Sequence, residues 1–244
     1  MQGIYLYFNA LQALQKKVVE TQKEVLAKVA EIMAQTIARD QRIFLFGTGH
    51  SHLLIEEAFY RAGGLAAVVP IFSSALMLHE HASLGSKIER TAGIARFLLE
   101  EYRPMSGEIL LVFSNSGVNR MPVEMAIAGH DCGLFVVGIC SKAYSRLAPL
   151  SDLGKRLDEV CDYCFDNGGL PGDAIVEVEG VPWRTGPTST AIGVLIWNCL
   201  LVETVFQLKS MGVEPPIFVS SNMPSAEENN RQLFEKWRKV NPHL

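Results

Sequence analysis

The chain has 244 residues, of which 48% are hydrophobic and 20% are charged, a balance typical of one large globular domain or two small ones. The formal net charge is -4 with acidic and basic residues interspersed, so no nucleic-acid-binding surface is expected, although small anionic ligands are compatible. Five thinly spread cysteines and no visible export signal indicate reduced thiols and a cytoplasmic location.

The first segment, residues 3 to 39, is predicted to be one long helix. No Gly or Pro interrupts it after Gly3, and Lys, Glu and Gln separate its apolar positions. These positions recur three to four residues apart, or in multiples of that spacing, at Leu11, Leu14, Val18, Val25, Val29 and Ile32. We expect this helix to pack on the domain or on a second subunit.

Short apolar runs alternate with helical segments from residue 40 to residue 166. Five of the runs predict strands, at residues 43–46, 66–72, 108–114, 134–141 and 159–166. Helices are predicted at residues 51–62, 88–102 and 122–130, with a loop or short helix at 73–87. Strands separated by helices indicate right-handed βαβ units and a parallel sheet that is covered on both faces.

The pattern changes after Asp166. Residues 167–187 are rich in Gly and Pro and include one alternating run, AIVEVEG, that predicts a small hairpin. Residues 188–211 predict a long apolar helix, which polar interruptions mark as a core helix rather than a membrane span. Residues 226–239 predict an amphipathic helix. No interdomain linker is visible, so we predict a single domain over residues 1–244, with a core at about 40–212, an N-terminal helix at 3–39 and a C-terminal helical extension at 213–244.

A Gly-rich corner follows the first predicted strand, in the sequence IFLFGTGHSH at residues 43–52. Gly47 and Gly49 let the backbone turn sharply or approach a ligand closely. A strand, a turn and a helix N-terminus together present free backbone N–H groups, which suit an anion. The polar side chains expected to bind it are Thr48, His50 and Ser51. The alternative is a plain turn with an N-cap, and the dinucleotide fingerprint is absent because its third glycine is replaced by His52.

Two further corners carry hydroxyl and amide side chains. The sequence SNSGVN, residues 114–119, follows the third strand and contains Ser114, Asn115, Ser116 and Asn119. In GPTSTAIG, Thr188 and Ser189 open the long apolar helix, where a simple N-cap needs only one hydroxyl. In an open parallel sheet, ligands bind beyond the carboxyl ends of the strands, where the strand order reverses. With the order 2-1-3-4-5, the corners after strands one and three would face one crevice.

The motifs FGTGHS, SNSGVN and GPTST together resemble the SIS (sugar isomerase) domain family, over about residues 20–212. GPTST is most similar to the arabinose-5-phosphate isomerases, the layout also resembles the sedoheptulose-7-phosphate isomerases, and the whole chain resembles a poorly characterised bacterial group of SIS proteins. The resemblance implies a three-layer, flavodoxin-like α/β fold with a doubly wound parallel sheet of five strands that binds a sugar phosphate. It implies a homodimer or homotetramer, and phosphate-binding roles for Ser51, Ser114, Ser116 and Asn119.

Candidate acid–base residues follow the first two strands. Aldose–ketose isomerisation needs a base for the proton beside the carbonyl and a group that polarises the carbonyl oxygen. Glu57, with Glu56 as second choice, is the predicted base, and His79 or His81 is the predicted acid or ring-opening group. The alternative for two adjacent glutamates is a solvated helix face. The sedoheptulose-7-phosphate isomerases carry a His and a Glu at the positions of Glu57 and Arg61, so this chain departs from their proton-transfer pair.

No cofactor is predicted. Imidazoles together with Glu57 resemble zinc ligands, but firm ligand spacing is missing, and Cys161 with Cys164 lacks the second pair that a zinc ribbon needs. We therefore predict a cytoplasmic, oligomeric sugar-phosphate isomerase with no nucleic-acid or membrane partner. The alternatives are a lyase or dehydratase acting on an amino-sugar phosphate, and a phosphosugar sensor without catalysis.

Overall fold

A computed structural model describes residues 1–224 and 226–244, and it has a three-layer α/β fold around a parallel sheet. The strands lie in the order β2-β1-β3-β4-β5, and all neighbouring pairs in this sheet are parallel. Their bounds are Ile43–Gly47 for β1, Val68–Pro70 for β2, Ile109–Phe113 for β3, Phe135–Cys140 for β4 and Tyr163–Asp166 for β5. This arrangement confirms the predicted doubly wound, flavodoxin-like sheet.

Helices cover both faces of the sheet. Their bounds are Gln2–Ala38 for α1, His52–Ala58 for α2, Leu78–Ile88 for α3, Ile94–Glu101 for α4, Arg120–Asp131 for α5, Lys142–Leu147 for α6, Ser189–Ser210 for α7 and Ala226–Trp237 for α8. An antiparallel hairpin, β6 (Ala174–Val176) with β7 (Thr185–Pro187), precedes α7 and confirms the predicted hairpin.

Alternate residues of each strand face opposite helical layers, because successive side chains of a strand point to opposite sides. Along β1, Ile43 and Leu45 pack with residues of α1 and α7, whereas Phe44 and Phe46 pack with residues of α4 and α5. All four side chains are fully buried. Apolar residues at consecutive strand positions are what a parallel sheet covered on both faces requires.

The long helices α1 and α7 pack against each other on one face of the sheet. Ala30 and Met33 of α1 are fully buried, and the hydroxyl of Thr204 in α7 lies 3.5 Å from the carbonyl oxygen of Ala30. Within the described residues, α7 is the helix long and apolar enough to cross a membrane by length and composition. Its buried side chains pack within this protein, as expected of a core helix.

The region between β2 and β3 differs from the prediction. The sequence predicts one helix over residues 88–102, but α3 ends at Ile88 and α4 begins only at Ile94. Gly93 takes a φ of 83°, a left-handed conformation that separates the two helices. The predicted helix over 51–62 is also shorter, since α2 ends at Ala58. Periodicity alone did not locate these breaks.

A buried ion pair joins the amino ends of β1 and β3. Arg42 precedes β1 and Glu108 precedes β3, with side chains that are 6% and 0% exposed. The Arg42 Nε lies 2.6 Å from the Glu108 Oε1, and its Nη2 lies 2.8 Å from Oε2. The guanidinium also donates to the carbonyls of Tyr102, Arg103 and Val240. The hydrogen bond to Val240 therefore connects the C-terminal extension to the amino edge of the sheet.

Candidate functional site

Two glycines shape the first corner, residues 47–52, between β1 and α2. A Cβ on Gly47 would lie 2.7 Å from the carbonyl oxygen of Ser51, too close for any other residue. Gly49 takes a φ of 55°, which favours glycine. His50 is exposed at this turn, and α2 begins at His52. The turn thus brings the Ser51 hydroxyl to the carboxyl edge of β1.

Glu89, from the segment between α3 and α4, lies over the first corner. The buried Thr48 donates from its hydroxyl to the Glu89 Oε1 at 2.5 Å. The Glu89 backbone carbonyl accepts from the N–H of Met121, in the first turn of α5, at 3.0 Å. Glu89 therefore connects the first corner to the helix that follows β3. No sequence signal identifies it, because the unpredicted break between α3 and α4 sets its position.

The second corner, residues 114–119, links β3 to α5. The Ser114 Oγ accepts from the N–H of Gly117 at 3.3 Å, and Gly117 takes a φ of 62°. Asn119 occupies the N-cap position of α5, but its side chain makes no capping hydrogen bond. Its amide and the half-buried Ser116 hydroxyl are therefore available to a ligand near the N-terminus of α5.

The corners meet because β1 and β3 are neighbours in the sheet, with Gly47 opposite Phe113. A narrow cavity of about 10 Å³ lies between them. The polar residues that line it come from both corners, the end of β5 and the start of α7: Ser51, Ser114, Asn115, Asn167, Ser189 and Thr190. Such a volume accommodates about one water molecule. Predicted ligand-binding residues from three segments are thus brought to one crevice.

Asp173 caps the N-terminus of α7. Its carboxylate accepts from the backbone N–H of Ser189 at 2.8 Å, from the Ser189 hydroxyl at 2.5 Å and from the N–H of Thr188 at 3.2 Å. The Thr188 hydroxyl lies 3.4 Å from the same carboxylate. Both hydroxyls that were predicted to bind the ligand are therefore engaged by a cap, although Ser189 also borders the narrow cavity.

The two predicted carboxylate bases have different partners on α2. Glu57 forms an ion pair with Arg61. Glu56 accepts from the Nε2 of His52 at 2.9 Å, and the His52 side chain is only 5% exposed. Burial lowers the pKa of His52 below its usual value, although the contact with Glu56 acts in the opposite direction. His52 is therefore an orienting partner of Glu56, a role that sequence reasoning missed.

The remaining predicted histidines lie in α3. His79 and His81 are both exposed, and a charge on His79 would lower the pKa of His52 further. His81 interrupts the helix, with φ −163° and ψ 94°, and its Nδ1 lies 3.3 Å from the Ser83 hydroxyl. His52 and His79 are thus close enough to interact electrostatically.

Metal-ligating side chains do not converge in the part of the chain that the structure describes, where no three His, Cys, Asp or Glu residues are arranged to hold an ion. The cysteines of CDYC lie close to a third thiol, with the Cys164 Sγ at 3.6 Å from the Cys140 Sγ. This hydrogen bond and burial raise the pKa of Cys140, and burial raises the pKa of Cys161. Raised pKa values keep these two thiols protonated, as expected of core cysteines.

An open cavity of about 490 Å³ adjoins the second corner. Its polar lining residues include Arg90, Ser116, Asn119, Arg120, Tyr144 and Ser151. The cavity contains the two second-corner side chains, Ser116 and Asn119, that do not line the narrow crevice. Sequence reasoning did not identify the two arginines, because the α3–α4 break and the loop after α6 bring the cavity walls together.

The chain matches the SIS domain family over residues 6–141, which is more than half of its length, and it belongs to that family. It is 39% identical over 239 residues to the UPF0309 protein of Halalkalibacterium halodurans, covering 98% of this chain and 96% of that protein. It is 41% identical over 221 residues to the UPF0309 protein of Brucella anthropi, covering 91% and 90% of the two chains.

Solved structures of phosphoheptose isomerases share the fold. The enzyme from Neisseria gonorrhoeae superposes with a TM-score of 0.55 and 16% identity, covering 83% of this chain and 97% of that chain. The enzyme from Francisella tularensis gives a TM-score of 0.53 and 12% identity, covering 83% and 96%. At such identities the likeness concerns the fold, and it agrees with the sheet order described above.

Proposed function

We propose that the protein binds a sugar phosphate at the carboxyl edge of β1 and β3 and isomerises it by proton abstraction next to a carbonyl. The observation that carries this proposal is the meeting of the Ser51, Ser114 and Ser189 side chains, from three separate segments, in one crevice. This edge is the switch point of a doubly wound sheet, where ligands bind. Membership of the SIS family and the fold shared with phosphoheptose isomerases support the same ligand class.

The phosphate is assigned to the second corner, whose residues border both the narrow cavity and the open cavity beside it. The narrow cavity is about 10 Å³, which is too small for a phosphate group. In the open cavity, the Ser116 hydroxyl and the Asn119 amide are available as donors, and the N-terminus of α5 adds the positive end of a helix dipole. The Ser51 and Ser114 hydroxyls would contact the phosphate from the crevice.

Glu56 is the carboxylate that we assign as the base. Its partner His52 is buried and fixes one carboxylate oxygen, whereas Glu57 is engaged by Arg61. About half of the Glu56 side chain is exposed, so its carboxylate is accessible to a ligand. The nearby His79 is assigned as the acid or ring-opening group, because imidazole exchanges protons near neutral pH.

Binding is tested by titrating sugar phosphates against the wild type and single-serine variants. Ser114→Ala and Ser116→Ala should each weaken phosphosugar binding by about tenfold, because each removes a hydrogen bond to a charged group. Ser106→Ala is the matched control, since Ser106 is exposed at the opposite edge of the sheet. The binding proposal fails when no phosphosugar raises the melting temperature of the wild type.

Catalysis is tested by incorporation of solvent deuterium into recovered sugar phosphate. Glu56→Gln should abolish the incorporation, whereas Glu57→Gln should retain it. Glu89→Gln is included because Glu89 also lies at the first corner. Loss of exchange only in Glu89→Gln would overturn the assignment of the base but not the reaction. When the reaction is repeated in ordinary water, product of unchanged mass indicates an isomerase and loss of one water indicates a dehydratase, while binding without deuterium exchange indicates a sensor.

The proposal includes association into a homodimer or homotetramer. Large apolar side chains are exposed on the first turns of α1 and on α7: Ile4, Tyr5, Phe8, Val202 and Phe206. Exposed apolar patches often mark subunit interfaces. Sedimentation of the wild type should therefore give more than one subunit per particle. Phe206→Glu should lower that number, while Trp183→Glu in the exposed hairpin loop is the control.

A further inference from the structure

The open cavity beside the second corner has polar groups that the proposed phosphate site does not use. The Ser151 Oγ is buried and has no hydrogen-bond partner among the described residues. Tyr144 and Arg90 border the same space. A buried hydroxyl without a partner is costly, and a polar ligand that bonds to it would remove that cost. The volume of about 490 Å³ exceeds what one phosphate needs, so it admits a further substituent of the ligand.

The two arginines of this cavity differ in how far they are neutralised. Arg120 lies between two carboxylates, with Nε at 3.2 Å from the Glu124 Oε2 and an ion pair to Asp152. Arg90 forms no ion pair within residues 1–224 and 226–244, and the hydrogen bond found for its guanidinium goes to the carbonyl of Ser86 at 2.6 Å. Arg90 thus retains donors that suit a carboxylate or phosphate oxygen.

The position of Arg90 follows from the segment that carries it. The preceding residue, Glu89, is bonded to Thr48 of the first corner and to Met121 of α5. These two contacts hold the segment against the first corner and the first turn of α5, and Arg90 lies at the wall of the cavity that contains Ser116 and Asn119. An anionic group near Arg90 would therefore belong to the same ligand as a phosphate on the second corner.

We propose that the ligand is a sugar phosphate with a second oxyanion, either a carboxylate or a second phosphate, and that Arg90 determines this specificity. The inference rests on the proposed function, because it assigns the first phosphate to the second corner. Asp152 opposes the second anion through its negative charge, and Arg120 offsets that charge and holds the cavity wall formed by the loop after α6.

Three probes with one carbon skeleton test the proposal in calorimetric titrations: glucose 6-phosphate, 6-phosphogluconate and glucose 1,6-bisphosphate. We expect at least one doubly anionic probe to bind the wild type about tenfold more tightly than glucose 6-phosphate. The carboxylate of 6-phosphogluconate also resembles the enediolate that forms when a base removes the proton next to the carbonyl. Glucose 1,6-bisphosphate lacks this resemblance, so tight binding of the bisphosphate reports the second charge alone. Equal affinity for all three probes overturns this inference and leaves phosphosugar binding intact, whereas failure of these probes and of every other sugar phosphate titrated overturns both.

Single substitutions test whether Arg90 causes the preference for a doubly anionic probe. Arg90→Gln should reduce the preference to less than about twofold while glucose 6-phosphate binds as before. Asp152→Asn should strengthen binding of the doubly anionic probe severalfold, because it removes a like charge. Arg96→Gln is the matched control, since Arg96 is exposed on α4 and pairs with Glu100. A preference that survives in Arg90→Gln contradicts the role of Arg90.

Discussion

The two edges of the parallel sheet use polar residues in opposite ways. At the amino edge, Arg42 and Glu108 are buried, and the guanidinium donates to a carboxylate and three carbonyls. At the carboxyl edge, Ser116 and Asn119 border an open cavity without such a set of internal partners. Polar groups that satisfy one another stabilise the fold, while groups left with unused donors are available to a ligand.

Asp173 shows that the carboxyl edge also contains structural polar contacts. Its carboxylate closes the N-terminus of α7, where two hydroxyls had been predicted to bind a ligand. Internally satisfied groups therefore border the narrow crevice, whereas the available donors of the second corner, Ser116 and Asn119, border the open cavity beside it. The difference between the edges should be measurable as stability changes at one edge and ligand-binding changes at the other.

The largest effect is expected at the amino edge. Glu108→Ala leaves the buried Arg42 without its carboxylate, and we expect a loss of about 3–5 kcal/mol in the free energy of unfolding. Urea unfolding measures the change. The double variant Arg42→Met/Glu108→Leu should recover part of the loss, because no buried charge then lacks a partner, while the three carbonyls that Arg42 served lose their donor. A loss below about 1 kcal/mol in Glu108→Ala would show that water or rearrangement replaces the pair.

A smaller effect is expected for the cap of α7. Asp173→Ala removes the acceptor for two backbone N–H groups and should cost about 1–2 kcal/mol. Asp173→Asn keeps an acceptor and tolerates the positive φ of 64°, so it should retain most of the stability. Equal melting temperatures for the Ala variant and the wild type would show that the cap is dispensable, and thermal unfolding decides between these outcomes.

The smallest expected effect is the dependence of folding stability on pH. Burial lowers the pKa of His52 from its usual value of 6.5, so the unfolded chain binds a proton more readily than the folded protein. Stability should therefore fall as pH decreases below 6.5 and level off below the pKa of the folded state. Burial lowers the pKa of His243 as well, which adds a change of the same sign. His52→Gln should show a smaller drop in melting temperature between pH 8 and pH 5.5, and an unchanged drop would exclude His52 as a source.

The same amino-acid pattern that predicted the sheet also predicted which residues would meet. Apolar runs that recur with helices between them determined a parallel sheet, since only strands buried on both faces need apolar residues at consecutive positions. The corners after strands one and three were identified because Gly47, Gly49 and Gly117 mark turns and the hydroxyls follow strand ends. Adjacent strands then bring Ser51 and Ser114 to the same crevice.

Tertiary structure alone decided which charged residues from distant segments lie together, as Arg42 and Glu108 do. The partners of Glu56 and Glu57 are local by contrast, because each carboxylate pairs with a residue four positions away in the sequence, His52 or Arg61. Gly93, in a left-handed conformation, separates α3 from α4 within a segment that the sequence predicts as one helix. That break places Glu89 and Arg90 beside the corners. Hydrophobic periodicity indicates which face of an element is buried. It does not indicate which residues of a distant segment will lie beside a given charged side chain, because the packing of the elements determines that.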